Sequence, residues 1–207
     1  MGRPARHHVH AILDSARRVS AAVGPQRLTI AAVADQAGAP IGSIYHRYPS
    51  RDDILAALWL DLVEAFQARF LALLEPGDPV AAGLAAVRFV CRWVRRHPTE
   101  ARLMLLHRRE DFAAERWAAS HQRRARQLAL QAEAAVRRYA TRLYGRAGAA
   151  ELRCVRFALV DLPTAALKRD LEAGVPPAKQ VETMLVETCA YALRRGRAAR
   201  APAQPRR

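Results

Sequence analysis

A chain of 207 residues that is 51% hydrophobic can bury one core or two, which excludes disorder throughout. Its formal net charge of +15 and pI of about 11.2 point to a polyanionic partner, nucleic acid or an anionic membrane surface. Cys91, Cys154 and Cys189 are odd in number and far apart, without CxxC spacing, and no apolar run reaches the length of a bilayer span; the expectation is a soluble, cytoplasmic protein with no metal and no cofactor.

The basic excess does not locate the binding surface. Arg3, Arg6, Arg17, Arg18, Arg27, Arg47 and Arg51 outweigh Asp14, Asp35, Asp52 and Asp53 only modestly, and the stretches from Arg102 to Arg146 and from Arg194 to Arg207 are richer still. Lysine is confined to Lys168 and Lys179. Hydrophobic periodicity is more informative. Val9, Ile12, Leu13, Ala16, Val19 and Val23 form a helical stripe that Gly24-Pro25 ends. Thr29 has the chemistry of an N-cap for a short helix whose inward face is Ile30, Val33, Ala34 and Ala37. Gly38 supplies a backbone that can turn left-handed, and Pro40 suits the first turn of another helix.

After Pro49, Ser50 caps a long amphipathic helix carrying Asp52 and Asp53 in its first turn, then Leu55, Leu58, Trp59, Leu62, Phe66, Phe70 and Leu73. Glu75-Pro76-Gly77-Asp78-Pro79 breaks it. Further helices are expected over Leu84 to Val94, Thr99 to His107 and Ala113 to Tyr144. Another runs from Leu152 to Ala166, bent at Pro163, and a last one carries Val181, Met184, Leu185, Thr188 and Ala192. His97-Pro98 reads as a helix stop, and Arg108-Arg109-Glu110-Asp111 as a solvated turn. From Gly196 onward a basic disordered tail is expected. No strand alternation or internal repeat occurs, so the fold class is all-α.

Two short helices about a glycine turn are the helix-turn-helix arrangement, in which the second helix enters the major groove and flanking groups grip phosphate. On that reading Gly42 lets the backbone approach the duplex, while Ser43, Tyr45 and His46 reach base edges or the sugar-phosphate chain. Pro40, Ile41 and Arg47 flank them. Ile44 turns inward and Tyr48 seals the junction with the long helix. Thr29 and Arg51, each at a helix start, are placed to hold phosphates.

"LTIAAVADQAGAPIGSIYHRYPSRDDIL", Leu28 to Leu55, with its neighbouring helices resembles the DNA-binding region of tetracycline-repressor-type (TetR) transcriptional regulators over roughly Val9 to Leu62. Thr29, the Ala34 to Gly38 turn, Gly42, Ile44-Tyr45, Tyr48 and the "PSRDDIL" helix start carry the likeness. The family's usual aromatic two residues beyond its recognition-helix tyrosine is Arg47 here, with Tyr48 one further on, and its frequent lysine at the long helix is Arg51. The resemblance implies a helix-turn-helix domain over residues 1–50, a helical ligand-binding and dimerisation domain over 51–195, and the tail over 196–207. It further implies a homodimer on palindromic double-stranded DNA, acting as a repressor released by an unknown small-molecule effector. The late helices from Leu152 and Val181 are expected at the dimer seam.

For the effector, Trp93, Met104, Trp117, His121, Tyr139 and Arg156 are candidates to line a pocket, although each also suits a helical core or its polar edge. Phe157 belongs to the same set of apolar candidates. His7, His8 and His10 sit beside Arg3 and Arg6 in an arm better suited to non-specific phosphate contact than to metal. An enzyme is not expected, since GxxxxGK[ST], GxGxxG, GxSxG and HExxH are all missing. The remaining rival is an architectural or membrane-associated basic protein, which would bind without regard to sequence.

Overall fold

The computed structural model describes residues 5–75 and 77–198, with side chains over 11–75 and 77–195. Among the described residues ten α-helices run in chain order: α1 Ala5–Val23, α2 Ile30–Ala37, α3 Ile41–Arg47, α4 Arg51–Leu73, α5 Pro79–Arg96, α6 Pro98–Leu106, α7 Ala119–Tyr144, α8 Ala149–Arg156, α9 Leu162–Ala173 and α10 Lys179–Ala198. Among the described residues there is no strand, so the all-α expectation holds. The chain forms two compact units, one of residues 1–65 and 97–128, the other of 66–96 and 129–207. This partition differs from the linear division at residue 50, because the segment 97–128 returns to the N-terminal unit.

The first unit is built on the apolar stripes read from the sequence. Ile12, Leu13 and Ala16 of α1 meet Ile30, Val33 and Ala34 of α2, Ile44 of α3, and Ile54, Leu55, Leu58 and Leu62 of α4 in one buried cluster. Leu103 of α6, Phe112 and Trp117 complete it, so the returning segment supplies large side chains that three short helices could not provide alone. Arg17 reinforces the contact with ion pairs to Asp61 of α4 at 2.7 Å and to Glu100 of α6 at 3.8 Å.

Between α6 and α7 the expectation of a helix starting at Ala113 is corrected. Two 3-10 turns occupy Arg109–Phe112 and Ala114–Arg116, and Ala113 between them has φ 58°, a left-handed conformation costly for alanine. Tertiary contacts hold it there. Phe112 is buried, and the Trp117 indole N–H donates to the Phe112 carbonyl at 2.7 Å. Trp117 also packs on Trp59 with ring centroids 5.3 Å apart.

The second unit centres on α5, whose buried face runs Val80, Gly83, Ala86, Val87, Val90 and Val94 against Leu185, Cys189 and Leu193 of α10. Tyr139 of α7 is buried with its hydroxyl donating to the Pro79 carbonyl at 2.8 Å. Arg142 donates to the carbonyls of Leu74 and Gly77 at 2.6 and 2.5 Å, covering acceptors left open just past the end of α4. Cys91 and Cys189 are fully buried, and burial pushes each thiol up to about 11, which keeps them protonated core residues at neutral pH.

The bend expected at Pro163 takes a specific form. α8 passes into α9 through a π-helical turn, Phe157–Asp161, in which the Leu162 N–H donates to the Phe157 carbonyl. Proline has no N–H for the Leu159 carbonyl and its ring would crowd that oxygen; the wider turn makes room. The tail expected from Gly196 is corrected at its start, since α10 continues to Ala198; residues 199–207 lie outside the described residues. So do the side chains of the Arg3, Arg6, His7, His8 and His10 arm.

Candidate nucleic-acid interface

The site begins with two devices that fix the backbone between α2 and α3. Thr29 Oγ1 accepts from the Ala32 N–H at 3.1 Å, which starts α2 in register and leaves its hydroxyl proton available to a phosphate. Gly38 ends α2 with φ 60° and ψ 32°; its N–H donates to Asp35 O at 3.2 Å and the Ala39 N–H to Ala34 O at 3.1 Å. That paired closure needs a left-handed residue and turns the chain within two positions. Pro40 then stands at the start of α3, where its carbonyl accepts from the Ser43 N–H at 2.9 Å.

α3 is one face core and one face solvent. Ile44 is 0% exposed and Tyr48, just beyond the helix, 8%. Burial raises the Tyr48 phenol above its ordinary range, with Arg47 opposing and Asp61 adding to the shift. On the outer side Ile41 is 46% and Tyr45 49% exposed, and Gly42, Ser43, His46 and Arg47 are open to solvent. A Cβ built on Gly42 would meet nothing within 4 Å. The fold therefore does not require glycine there. No acidic residue lies on α3, and His46 and Arg47 make its last turn basic. A short helix with two large side chains, a hydroxyl and two basic groups facing outward can hydrogen-bond base edges and phosphates at once.

Residues 12–58 match the family model "Bacterial regulatory proteins, tetR family". That segment is a TetR-type N-terminal region. No curated protein matches it, and the similar solved structures are distant in sequence. They include a TetR-family transcription regulator from Marinobacter aquaeolei VT8, with TM-score 0.67, 14% identity and coverage of 88% of this chain and 93% of that one. A TetR-like transcriptional regulator from Rhodococcus sp. RHA1 gives TM-score 0.66 and 16% identity over 95% and 99%. The regulator FadR from Bacillus subtilis, solved in complex with stearoyl-CoA, gives 0.63 and 15% over 89% and 98%. At these identities the likeness concerns the fold.

Within the TetR-type unit, the site expectations separate. Thr29, Pro40, Ile41, Gly42, Ser43, Tyr45, His46 and Arg47 are each exposed. Arg51 behaves differently from the expected phosphate contact. Its Nε donates to Leu28 O at 2.7 Å, and one Nη to Pro25 O at 3.0 Å and Gln26 O at 2.5 Å; the other Nη meets Asp52 at 3.2 Å. A cation at a helix N-terminus opposes the dipole. Three carbonyls and one carboxylate offset that cost and staple the turn before α2 to the start of α4. Ser50 completes the start as a cap, its Oγ accepting from the Asp53 N–H at 3.1 Å. Arg51→Gln should therefore lower unfolding free energy by about 1–3 kcal/mol in a thermal or urea denaturation, while the slope of log affinity for DNA against log salt stays that of the parent.

The six effector candidates do not converge. Trp117, His121 and Met104 belong to the first unit, where Trp117 is core and His121 lies 3.7 Å from Asp53. In the second unit Tyr139 is core, and Trp93 meets Phe66 edge-on at 4.9 Å in a cluster with Phe70 and Phe89. Arg156 alone of the six lines a cleft of about 460 Å³ within that unit. The other lining residues, among them Phe70, Leu74, Val136, Leu152 and Leu159, are aliphatic or aromatic positions indistinguishable in sequence from ordinary core.

Proposed function

We propose that this chain is a one-component, non-enzymatic transcriptional regulator: a homodimeric repressor that reads a palindromic operator through α3 and leaves it when a small molecule binds the second unit. The outward strip on α3, anchored by a fully buried Ile44, carries the reading. Two such helices about one DNA turn apart, roughly 34–36 Å, would address successive major grooves. Thr29, Pro40, Ile41, Gly42, Ser43, Tyr45, His46 and Arg47 make the contacts; bound effector favours a different packing of the dimer, so release is a shift of population between two arrangements. The B. subtilis neighbour's stearoyl-CoA complex supports a ligand in a fold of this kind.

Binding sites selected from random DNA provide the test. Tyr45→Ala or Ser43→Ala should each weaken the selected site by about 1–3 kcal/mol and relax its sequence preference. Parent affinity should fall steeply with salt, log K against log salt having a slope of about −0.9 per phosphate contacted. Salt-insensitive binding, or variants that bind every sequence as the parent does, would favour the architectural or membrane-surface rival.

Apolar side chains left in water support the dimer. Phe157, which opens the π turn, is 48% exposed, and Met184 and Tyr191, two turns apart on one face of α10, are 60% and 64% exposed. A Met184→Glu/Tyr191→Glu protein should elute at half the parent's mass in light scattering and lose most of its operator affinity. A parent that is already monomeric at the concentrations that shift DNA contradicts this assignment.

A further inference from the structure

The cleft in the second unit has a composition that selects its occupant. Its floor and walls are apolar, with Phe70 from α4, Leu74 just beyond it, Val136 from α7, and Leu152 and Leu159 from α8 and the π turn. Three charged side chains reach it: Glu133, Arg137 and Arg156. Two of them cancel, since both Nε and Nη2 of Arg137 donate to Glu133 Oε1, at 3.0 and 2.9 Å. Arg156 is exposed and, among the described residues, forms no ion pair with any carboxylate. It is the last residue of α8, directly before the widened turn Phe157–Asp161, and π turns inside helices often mark functional sites. The cleft thus combines apolar walls with one uncommitted guanidinium, a net charge of one positive.

We propose that the cleft binds an amphipathic monoanion, its apolar body between α4, α7 and α8 and its anionic group on Arg156. This ligand is the effector of the regulator reading above, and the proposal rests on that reading for its regulatory consequence. Size limits the class further. At the ~30 Å³ that a condensed liquid gives each small molecule of one heavy atom, about 460 Å³ holds roughly fifteen non-hydrogen atoms. A medium-chain carboxylate such as dodecanoate, with about fourteen, matches that space; the further methylenes of an eighteen-carbon acid would project from the half-open cleft into water. Neutral alkanes lack the polar anchor, and cations meet the wrong sign.

Calorimetric titration of the whole chain without DNA tests this, using dodecanoate, octadecanoate and dodecyltrimethylammonium below their micelle concentrations. Dodecanoate should saturate one site per chain, gain nothing from lengthening to octadecanoate, and outcompete the ammonium entirely. Arg156→Gln should weaken dodecanoate about ten- to a hundredfold, the loss expected for one charge-assisted hydrogen bond at a half-open site. Ala132→Trp, which fills the cleft from α7, should abolish binding while circular dichroism stays helical. The proposal is overturned by three results: no saturable carboxylate binding, equal affinity for the ammonium, or an Arg156→Gln protein that binds as the parent does. It is also overturned if Ala132→Trp turns a dimer into a monomer, because the cleft would then belong to a second copy of the chain. Failure of the DNA-binding reading shows separately, as no shift of selected DNA, and leaves the calorimetry unaffected.

Discussion

A Gly42→Glu protein should fold at least as well as its parent and lose its operator. The position is helical, in the first turn of α3, and a Cβ there meets nothing within 4 Å. Glycine inside a helix costs about 0.5–1 kcal/mol relative to alanine, and a carboxylate in a first turn gains about 0.3–1 kcal/mol from the dipole. Thermal unfolding should therefore hold or rise. In the complex the same carboxylate would stand between the α3 backbone and the duplex, adding bulk where close approach is needed and repulsion from phosphate. Like-charge juxtaposition of this kind costs several kcal/mol, so operator affinity should drop by about a hundredfold or more in a gel-shift titration. A stable Gly42→Glu protein that still binds would remove Gly42 from the interface.

The opposite behaviour is expected at Gly83. A Cβ on Gly83 would fall onto the Tyr139 hydroxyl, and would lie 3.0 Å from Leu193 Cδ1 and 3.3 Å from Tyr139 Cζ. Tyr139 cannot simply swing away, because it is buried in α7 and its hydroxyl is committed to Pro79 O at 2.8 Å. Gly83→Ala combines overpacking, about 1–3 kcal/mol, with the loss of a part-buried hydrogen bond that leaves the Tyr139 hydroxyl without its acceptor, about 1–3 kcal/mol. We expect a total near 3 kcal/mol, which for a chain of this size lowers the melting temperature by about 6–12 °C. Tyr139→Phe removes the offending oxygen at the cost of the hydrogen bond alone. The double variant should accordingly be more stable than the sum of the single losses predicts, a coupling of about 1 kcal/mol or more. Strict additivity would show that Gly83 and Tyr139 do not share one packing constraint.

These two glycines also show what is legible in sequence. Gly38 and Gly42 could be read because helix-turn-helix geometry is local: Thr29, Gly38 and Pro40 each restrict the backbone within a few residues, and burial of Ile44 follows from helical period. Gly83 gave no such signal, since its requirement comes from Tyr139, more than fifty residues away. The same distinction explains Ala113. Nothing in an alanine announces a left-handed conformation; the indole of Trp117 and the burial of Phe112 impose it, and a helix continuous in propensity is broken by packing. Pro163 announced a disturbance, but the π turn that absorbs it depends on how the whole helix lies against α5 and α10.

Arg51 illustrates the limit for charged groups. A cation at a helix start near a candidate DNA surface reads naturally as a phosphate contact. The carbonyls of Pro25, Gln26 and Leu28 that engage it become visible only once the turn before α2 is folded. The cleft of the second unit was least legible of all, because Phe70, Val136, Leu152 and Leu159 differ from core residues only in bordering empty space. Arg156 could be singled out since a guanidinium between Val155 and Phe157 interrupts an apolar run.

Methylation protection on a selected operator tests the central assignment most directly. If α3 reads the major groove, guanine N7 atoms should be protected in two clusters whose centres are about 10–10.5 base pairs apart, and Tyr45→Ala should release that protection while leaving the protein folded. Protection confined to minor-groove adenine N3, or N7 protection that Tyr45→Ala and Gly42→Glu leave intact, would contradict it.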